Sequence, residues 1–380
     1  MDPIYLDYAA TTPCDPRVVE ALRPYFYDAF GNTLSPHAFG RRSRKAVEDA
    51  RELLASFLGA QPTEIVFTSS ATEANNHIIS GVARALKSKG KHLVVSAIEH
   101  HCVLEPAHRL IQEGCEVTFV SPDKDGIVHP EAIEQALRPD TILIAVAHAN
   151  NEIGIIQPVA DIGRIARERG IYFLVDAAQT VGHVPVSVAD IACDFLSFSA
   201  HKFYGPQGVG ALYIRKGVEC APLLLGGDQE RGSRAGTLNV PGIVGMGEAV
   251  RLCRPLMSDE MAAQTVLRDR IINVVLKEIP GAILNGSRVS RLPNNVHFSF
   301  EGITGEDLVA ALDMAGIACS VGSACTSGQL TPSHVLKAIG LSDARALGAL
   351  RVTVGRWTTL RDVDYFLEQL KLKVKQLRGP

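Results

Sequence analysis

The chain has 380 residues, 46% hydrophobic and 21% charged, and its 38 basic and 41 acidic side chains are interspersed to a net charge of -3. That composition describes a soluble globular protein with room for two domains, and it excludes a polybasic nucleic-acid binder, an acidic tail and a disordered chain. No run approaches the roughly 18 apolar residues of a membrane helix, and the first residues lack an export signal, so no membrane partner and a cytoplasmic location are expected.

In chain order, the stretch from Tyr5 to Pro13 is extended and ends in small polar residues. Helical periodicity over 18–27 and 43–58 encloses a turn-rich loop, 30–40, long enough to suggest a functional role. From residue 64 a strand, loop and helix rhythm begins. Short apolar runs fall at 64–68, 92–97, 116–120, 142–147, 171–175, 194–198 and 210–214, and helix-like stretches such as 74–87, 130–137 and 159–169 separate most of them. Their continuous apolar character predicts strands buried on both faces: an α/β fold with a mainly parallel seven-stranded sheet covered by helices. Past residue 258, helices at 264–277, 305–314, 335–339 and 363–377 alternate with strands at 295–300 and 349–354. This reads as a smaller α+β C-terminal domain. The expected division is 15–257 for the large domain, with 1–14 and 258–380 forming the small one.

Ligands of such sheets sit beyond the carboxyl ends of the strands. Lys202 follows the run at 194–198, in a setting where desolvation makes an amine nucleophilic, as a Schiff-base lysine requires. The bland alternative is a surface lysine at a strand end. After 64–68 come small hydroxylated residues, Ser69 to Asn75, that open a helix and offer N–H groups to a phosphate, although a simple N-cap at Thr72 explains them equally well. After 92–97 comes Glu99-His-His-Cys102; adjacent residues seldom aim at one metal ion, so no metal is expected. After 171–175 comes Asp176, a carboxylate costly to bury unless a cation such as a protonated pyridine nitrogen faces it. Lysine, aspartate, imidazole and anion cradle together describe a pyridoxal 5'-phosphate site.

Ser70-Ala-Thr-Glu-Ala-Asn-Asn76, Glu99-His100, Asn150-Asn-Glu-Ile-Gly154, Asp176-Ala-Ala-Gln179, Ser197-Phe-Ser-Ala-His-Lys202, Glu230-Arg-Gly-Ser-Arg-Ala-Gly-Thr237 and Gly322-Ser-Ala-Cys-Thr326 make the chain resemble the cysteine desulfurases. These are fold-type I pyridoxal phosphate enzymes of the class V aminotransferase group. The resemblance runs from about Tyr5 to Thr359. It implies that Lys202 carries the cofactor, that Asp176 pairs with the ring nitrogen, that Gln179 and Asn151 bond the ring hydroxyl, and that His100 stacks on the ring. Thr72, Ser199 and His201 would hold the phosphate, with Thr237 reaching in from the other subunit of a homodimer. Arg351 would clamp the substrate carboxylate, and Asn32 lies in the loop expected to flank the substrate.

Cys325, among small polar neighbours, is expected to be an accessible thiol, whereas Cys319 sits in a more apolar stretch and reads as structural. By resemblance Cys325 attacks the sulfur of L-cysteine, giving L-alanine and an enzyme persulfide. Lys202 would move the Cα proton, and His100 would shuttle protons. The sulfur acceptor would be an iron–sulfur scaffold, a tRNA-thiolating enzyme or a nitrogenase-maturation partner. A selenocysteine lyase or a class V aminotransferase shares the cofactor residues; Cys325 is what a transaminase does not need. Three departures from the family pattern touch specificity only: Ser70 for a common glycine, Asp228 for a common histidine, and Thr33-Leu34 for proline-serine.

Overall fold

A computed structural model describes residues 3–322 and 331–379. A short strand, Ile4–Tyr5 (β1), is followed by helices Pro16–Leu22 (α1) and Ala38–Leu58 (α2). The helix α2 begins several residues before the apolar periodicity does, because His37 Nδ1 accepts from the Gly40 N–H and caps it. It stops at Gly59, whose φ of 72° the missing Cβ permits.

All seven strands expected from the apolar runs form: Ile65–Thr68 (β2), His92–Ser96 (β3), Glu116–Val120 (β4), Thr141–Ala147 (β5), Tyr172–Asp176 (β6), Phe195–Ser199 (β7) and Gly210–Ile214 (β8). They make one sheet in the order β2-β8-β7-β6-β5-β3-β4. Only β8 runs against its neighbours. Helices Ala71–Ala85 (α3), His101–Gln112 (α4), Pro130–Ala136 (α5), Val159–Arg169 (α6) and Val188–Ile191 (α7) connect the strands. Successive strand residues point to opposite faces, and each face has its own core. Val66, Val95, Leu143 and Leu174 pack with α3 and α4, while Phe67, Val94, Ile144 and Val175 pack with α2 and α6.

The helix Val240–Glu278 (α8) runs unbroken for 39 residues, through Pro255 and across the place where the sequence suggested a change of pattern. Beyond it come Ala282–Leu284 (β9), Asn295–Phe300 (β10), Gly305–Asp313 (α9), Ile317–Ala318 (β11), His334–Ala338 (α10), Asp343–Leu347 (α11), Ala349–Thr353 (β12) and Leu360–Arg378 (α12). The strands β12, β10 and β9 form a second sheet in that order, and β1 pairs parallel with β11. A separate core gathers Ile4 and Leu6 with Ile271, Phe298, Leu350 and Phe366. The first residues of the chain therefore pack with the last hundred.

Candidate active site

At the carboxyl ends of β5, β6 and β7 lies a cavity of about 420 Å³. Its wall includes Thr72, His100, Asn151, Asp176, Gln179, Ser199, His201, Lys202 and Arg351, so nine residues singled out in the sequence meet in one place. Asn32 and Thr237 are exposed and outside that lining within a single chain. Cys325 lies outside the described residues.

Lys202 ends a single 3-10 turn, Ala200–Lys202, directly after β7. The N-terminal segment crosses this turn: Lys202 Nζ donates to the carbonyls of Ala9 and Ala10 at 2.6 and 2.8 Å. Thr12 fastens the strap, donating to the His201 carbonyl while accepting from the Tyr204 N–H. Tyr204 is held in the left-handed region at φ 67°, which costs about 1 kcal/mol for a residue with a Cβ. Desolvation, then the nearby Arg351 guanidinium, bring the Lys202 amine down to about 8. A free amine is thus accessible near neutral pH.

Asp176 ends β6 and is buried. Its Oδ1 accepts from the Ala178 N–H at 2.9 Å and its Oδ2 from Asn75 Nδ2 at 2.8 Å. Beside it, Gln179 donates to the Ala9 carbonyl. Asn75 stood in a quoted motif without an assigned role; only the fold brings α3 against β6 and reveals its contact.

The start of α3 also lines the cavity. Ser70, not Thr72, is the N-cap: its hydroxyl accepts from the Glu73 N–H, and its backbone is fully extended at φ -174°. A serine therefore fits where the family often has glycine. The glycine that matters is Gly210, since a Cβ there would come within 2.7 Å of the Ser70 backbone. Ser199 Oγ accepts the Ala71 N–H at 2.7 Å and keeps its own proton for another acceptor. The N–H of Thr72, in the first turn, has no carbonyl four residues earlier to bond. Desolvation, then Lys202, lower His201 to about 4, so its neutral ring binds by hydrogen bonding. Thr11 Oγ1 lies 3.1 Å from its Nδ1. An anion cradle, a buried carboxylate and an amine lining one cavity fit an anionic, ring-protonated aldehyde such as pyridoxal phosphate.

His100 caps α4 through Nδ1, which accepts from the Cys102 N–H, so the ring proton sits on Nε2. The residue keeps solvent contact, yet crowding of its ring by the wall desolvates it and lowers its proton affinity. Arg351, on β12, donates from Nη2 to Asp7 and from Nη1 to the Asn151 carbonyl, both at 2.9 Å. Among the described residues its buried Nε has no partner, leaving part of the fork available to a ligand. Glu152, unassigned in the sequence, also lines the cavity; Ser333 Oγ donates to its Oε2 at 2.5 Å. Burial pushes the Glu152 carboxyl up. Cys319 is half-buried, its thiol pushed up to about 12 by desolvation and Asp7.

The family description "Aminotransferase class-V" matches residues 4–366. A curated relative, cysteine desulfurase IscS of Dictyoglomus turgidum, is 52% identical over 99% of this chain and 95% of that protein. A solved structure described as a NifS-like protein superposes with a TM-score of 0.92 at 38% identity, covering 97% of this chain and 98% of the other. Another, described as SspA in complex with cysteine, gives a TM-score of 0.82 at 38% identity over 94% of this chain and all of that one, 100%. With the same fold, the family match and identity at this level over nearly the whole length, the chain belongs to the class-V aminotransferase family, among its cysteine desulfurases.

Proposed function

We propose that the chain removes sulfur from L-cysteine, releasing L-alanine and leaving a persulfide on Cys325, with pyridoxal 5'-phosphate as cofactor. One observation carries this reading: an amine brought down to about 8, a buried carboxylate and an anion cradle line the same cavity. Bound there, the cofactor supplies the electron sink that makes an amino acid's Cα proton removable.

The remaining work falls to the chain. Lys202 holds the cofactor and, as the free amine, takes the Cα proton. Asp176 would pair with the ring nitrogen, Gln179 and Asn151 would bond the ring hydroxyl, and His100 would cover the ring face. Thr72, Ser199 and His201 hold the phosphate. Arg351 receives the substrate carboxylate in its fork, with Asn32 flanking the substrate. Cys325, as a thiolate, attacks the substrate sulfur: an S–S bond forms, the Cβ–S bond breaks, and its electron pair stays on Cβ, which takes up a proton. Neutral His100 exchanges protons at this stage. L-cysteine and one enzyme thiol thus become alanine and a persulfide, with atoms and electrons balanced. The sulfur then passes to an acceptor protein, for which an iron–sulfur scaffold is the reading that the kinship with IscS supports.

A homodimer completes the site by supplying Thr237 from the second subunit. Phe26, Tyr27, Phe30, Leu34 and Phe39 are all exposed, and Leu34 shares a cleft with Gln229 and Leu238 beside Thr237. An apolar surface of this kind marks a contact between proteins. Residues 15–257 form the large domain of each subunit, with 1–14 and 258–380 forming the small one. No helix among the described residues is long and apolar enough to cross a membrane, and we assign the enzyme to the cytoplasm.

The decisive experiment is Cys325→Ser. It should stop alanine and sulfide release while borohydride still fixes the cofactor on Lys202; continued alanine release would refute the mechanism. Parallel assays for keto acid and selenide test the aminotransferase and selenocysteine lyase readings.

A further inference from the structure

Asp176 faces the cavity, but the groups that govern its carboxylate come from other elements. Asn75, in the first turns of α3 and fully buried, donates from Nδ2 to Asp176 Oδ2 at 2.8 Å and to Cys102 Sγ at 3.1 Å. Ser197 Oγ lies 2.6 Å from Asn75 Oδ1. The Asp176 carboxylate can only accept, so Asn75 must turn its amide nitrogen to it, which leaves Oδ1 to accept from the Ser197 hydroxyl. Ser197 is itself fully buried and pairs in register with Asp176 across β6 and β7. The order is therefore Ser197 to Asn75 to Asp176, each a donor to the next. Cys102 closes the ring, its Sγ 3.8 Å from Asp176 Oδ2. Desolvation, then the charge of Asp176, push this thiol up, so it faces the carboxylate as S–H and adds no second negative charge.

We propose that Asn75, locked by Ser197, is a positioning residue that holds the Asp176 carboxylate in one orientation and hydrogen-bonded as the anion, keeping the proton of the ion pair on the cofactor's ring nitrogen. The proposal rests on the pyridoxal phosphate reading of the cavity. Hydrogen bonds to an ionised carboxylate favour the ionised form, and in a buried site they are among the stronger ones. Remove them, and the shared proton moves from the ring nitrogen toward the carboxylate. A neutral ring is the poorer electron sink, so Asn75 acts on the reaction through Asp176 without touching substrate. Cys102 acts on the same oxygen more weakly, being a poor donor.

The test is ¹⁵N NMR of the dimeric holoenzyme carrying pyridoxal phosphate labelled at the ring nitrogen. In Asn75→Leu the ring-nitrogen resonance should move toward the neutral-pyridine position, and cofactor dissociation should strengthen about tenfold, the size expected for one lost hydrogen bond to a charge. Ser197→Ala should shift the resonance the same way by less, and it decides the matter if the leucine variant does not fold. Cys102→Ser, which replaces a weak donor by a stronger one, should keep the wild-type position. Folded Asn75→Leu and Ser197→Ala proteins that carry the cofactor with an unmoved resonance would overturn the proposal. If borohydride fixes no cofactor on wild-type Lys202, it is the reading of the cavity that fails.

Discussion

Ser333 gives its only hydroxyl proton to Glu152 at 2.5 Å while its oxygen accepts the N–H groups of Val335 and Leu336. One side chain thereby caps α10 and satisfies a buried carboxyl in the cavity wall. Ser333→Ala should destabilise the protein by about 2 kcal/mol, the sum of a lost cap and a stranded polar group. Glu152→Gln keeps an oxygen acceptor for Ser333 and should cost less. Urea unfolding of the two variants side by side checks the order.

Lys202 provides the pH prediction. Its amine must be unprotonated to attack the cofactor aldehyde, and burial followed by Arg351 favours the neutral form, bringing it to about 8 from an ordinary value near about 10.4. The rate at which cofactor-free enzyme takes up pyridoxal phosphate should rise about tenfold per pH unit below 8 and level off above it. Arg351→Met removes a repelling positive charge, so its midpoint should lie higher. Stopped-flow absorbance across pH 6 to about 10 measures both; a midpoint unchanged in the variant would contradict the role given to Arg351.

Arg351→Lys should raise KM for cysteine by about tenfold to a hundredfold with a smaller change in kcat, because a point charge cannot replace two parallel bonds to a carboxylate. Steady-state alanine formation supplies both constants.

Arg51 and Glu230 form a buried ion pair, with bonds of 2.7 and 2.9 Å and both side chains shielded from solvent. Glu230 also accepts the Phe67 N–H, and it sits with Arg231 in the left-handed region, at φ 47° and 56°. Breaking the pair in Arg51→Met or Glu230→Met should cost about 3 kcal/mol or more by leaving one partner buried alone. The Arg51→Met, Glu230→Met double variant should lose less than the two single losses together. Denaturation of all four proteins closes that cycle.

Much of this architecture is legible in the residues, for reasons that differ by element. Strands buried on both faces must be apolar throughout, and most of the seven runs stood out accordingly, although β4, at the sheet edge, is buried only at Val120; Asp176 and Lys202 were conspicuous as charges at the ends of such runs. The helix α4 was hidden by its polar start at Glu99-His-His and by Pro106; of α8 only 264–277 was read, the part before it being masked by Pro255 and the charged residues that follow. The acceptors of the Lys202 amine are the carbonyls of Ala9 and Ala10, and main-chain groups leave no mark on a sequence. Asn75 and Glu152 were visible as letters, but their partners are 101 and 181 residues away and only folding chooses them. Asn32 and Thr237 stay outside the lining of one chain, and nothing in their local sequence told them apart from the lining residues.

The unbroken length of α8 has a metrical consequence. Its first half packs beside Phe203, next to Lys202, through Cys253, and its second half lies in the core that carries Arg351. Arg356 clamps the junction, reaching Glu260 on α8 and Asp15 at the start of α1 while covering the Tyr204 ring at 4.0 Å. A rod of about 58 Å, at 1.5 Å per residue, thus spans both cores. The wall that carries Lys202 and the sheet that carries Arg351 are thus tied by one continuous helix rather than by a linker.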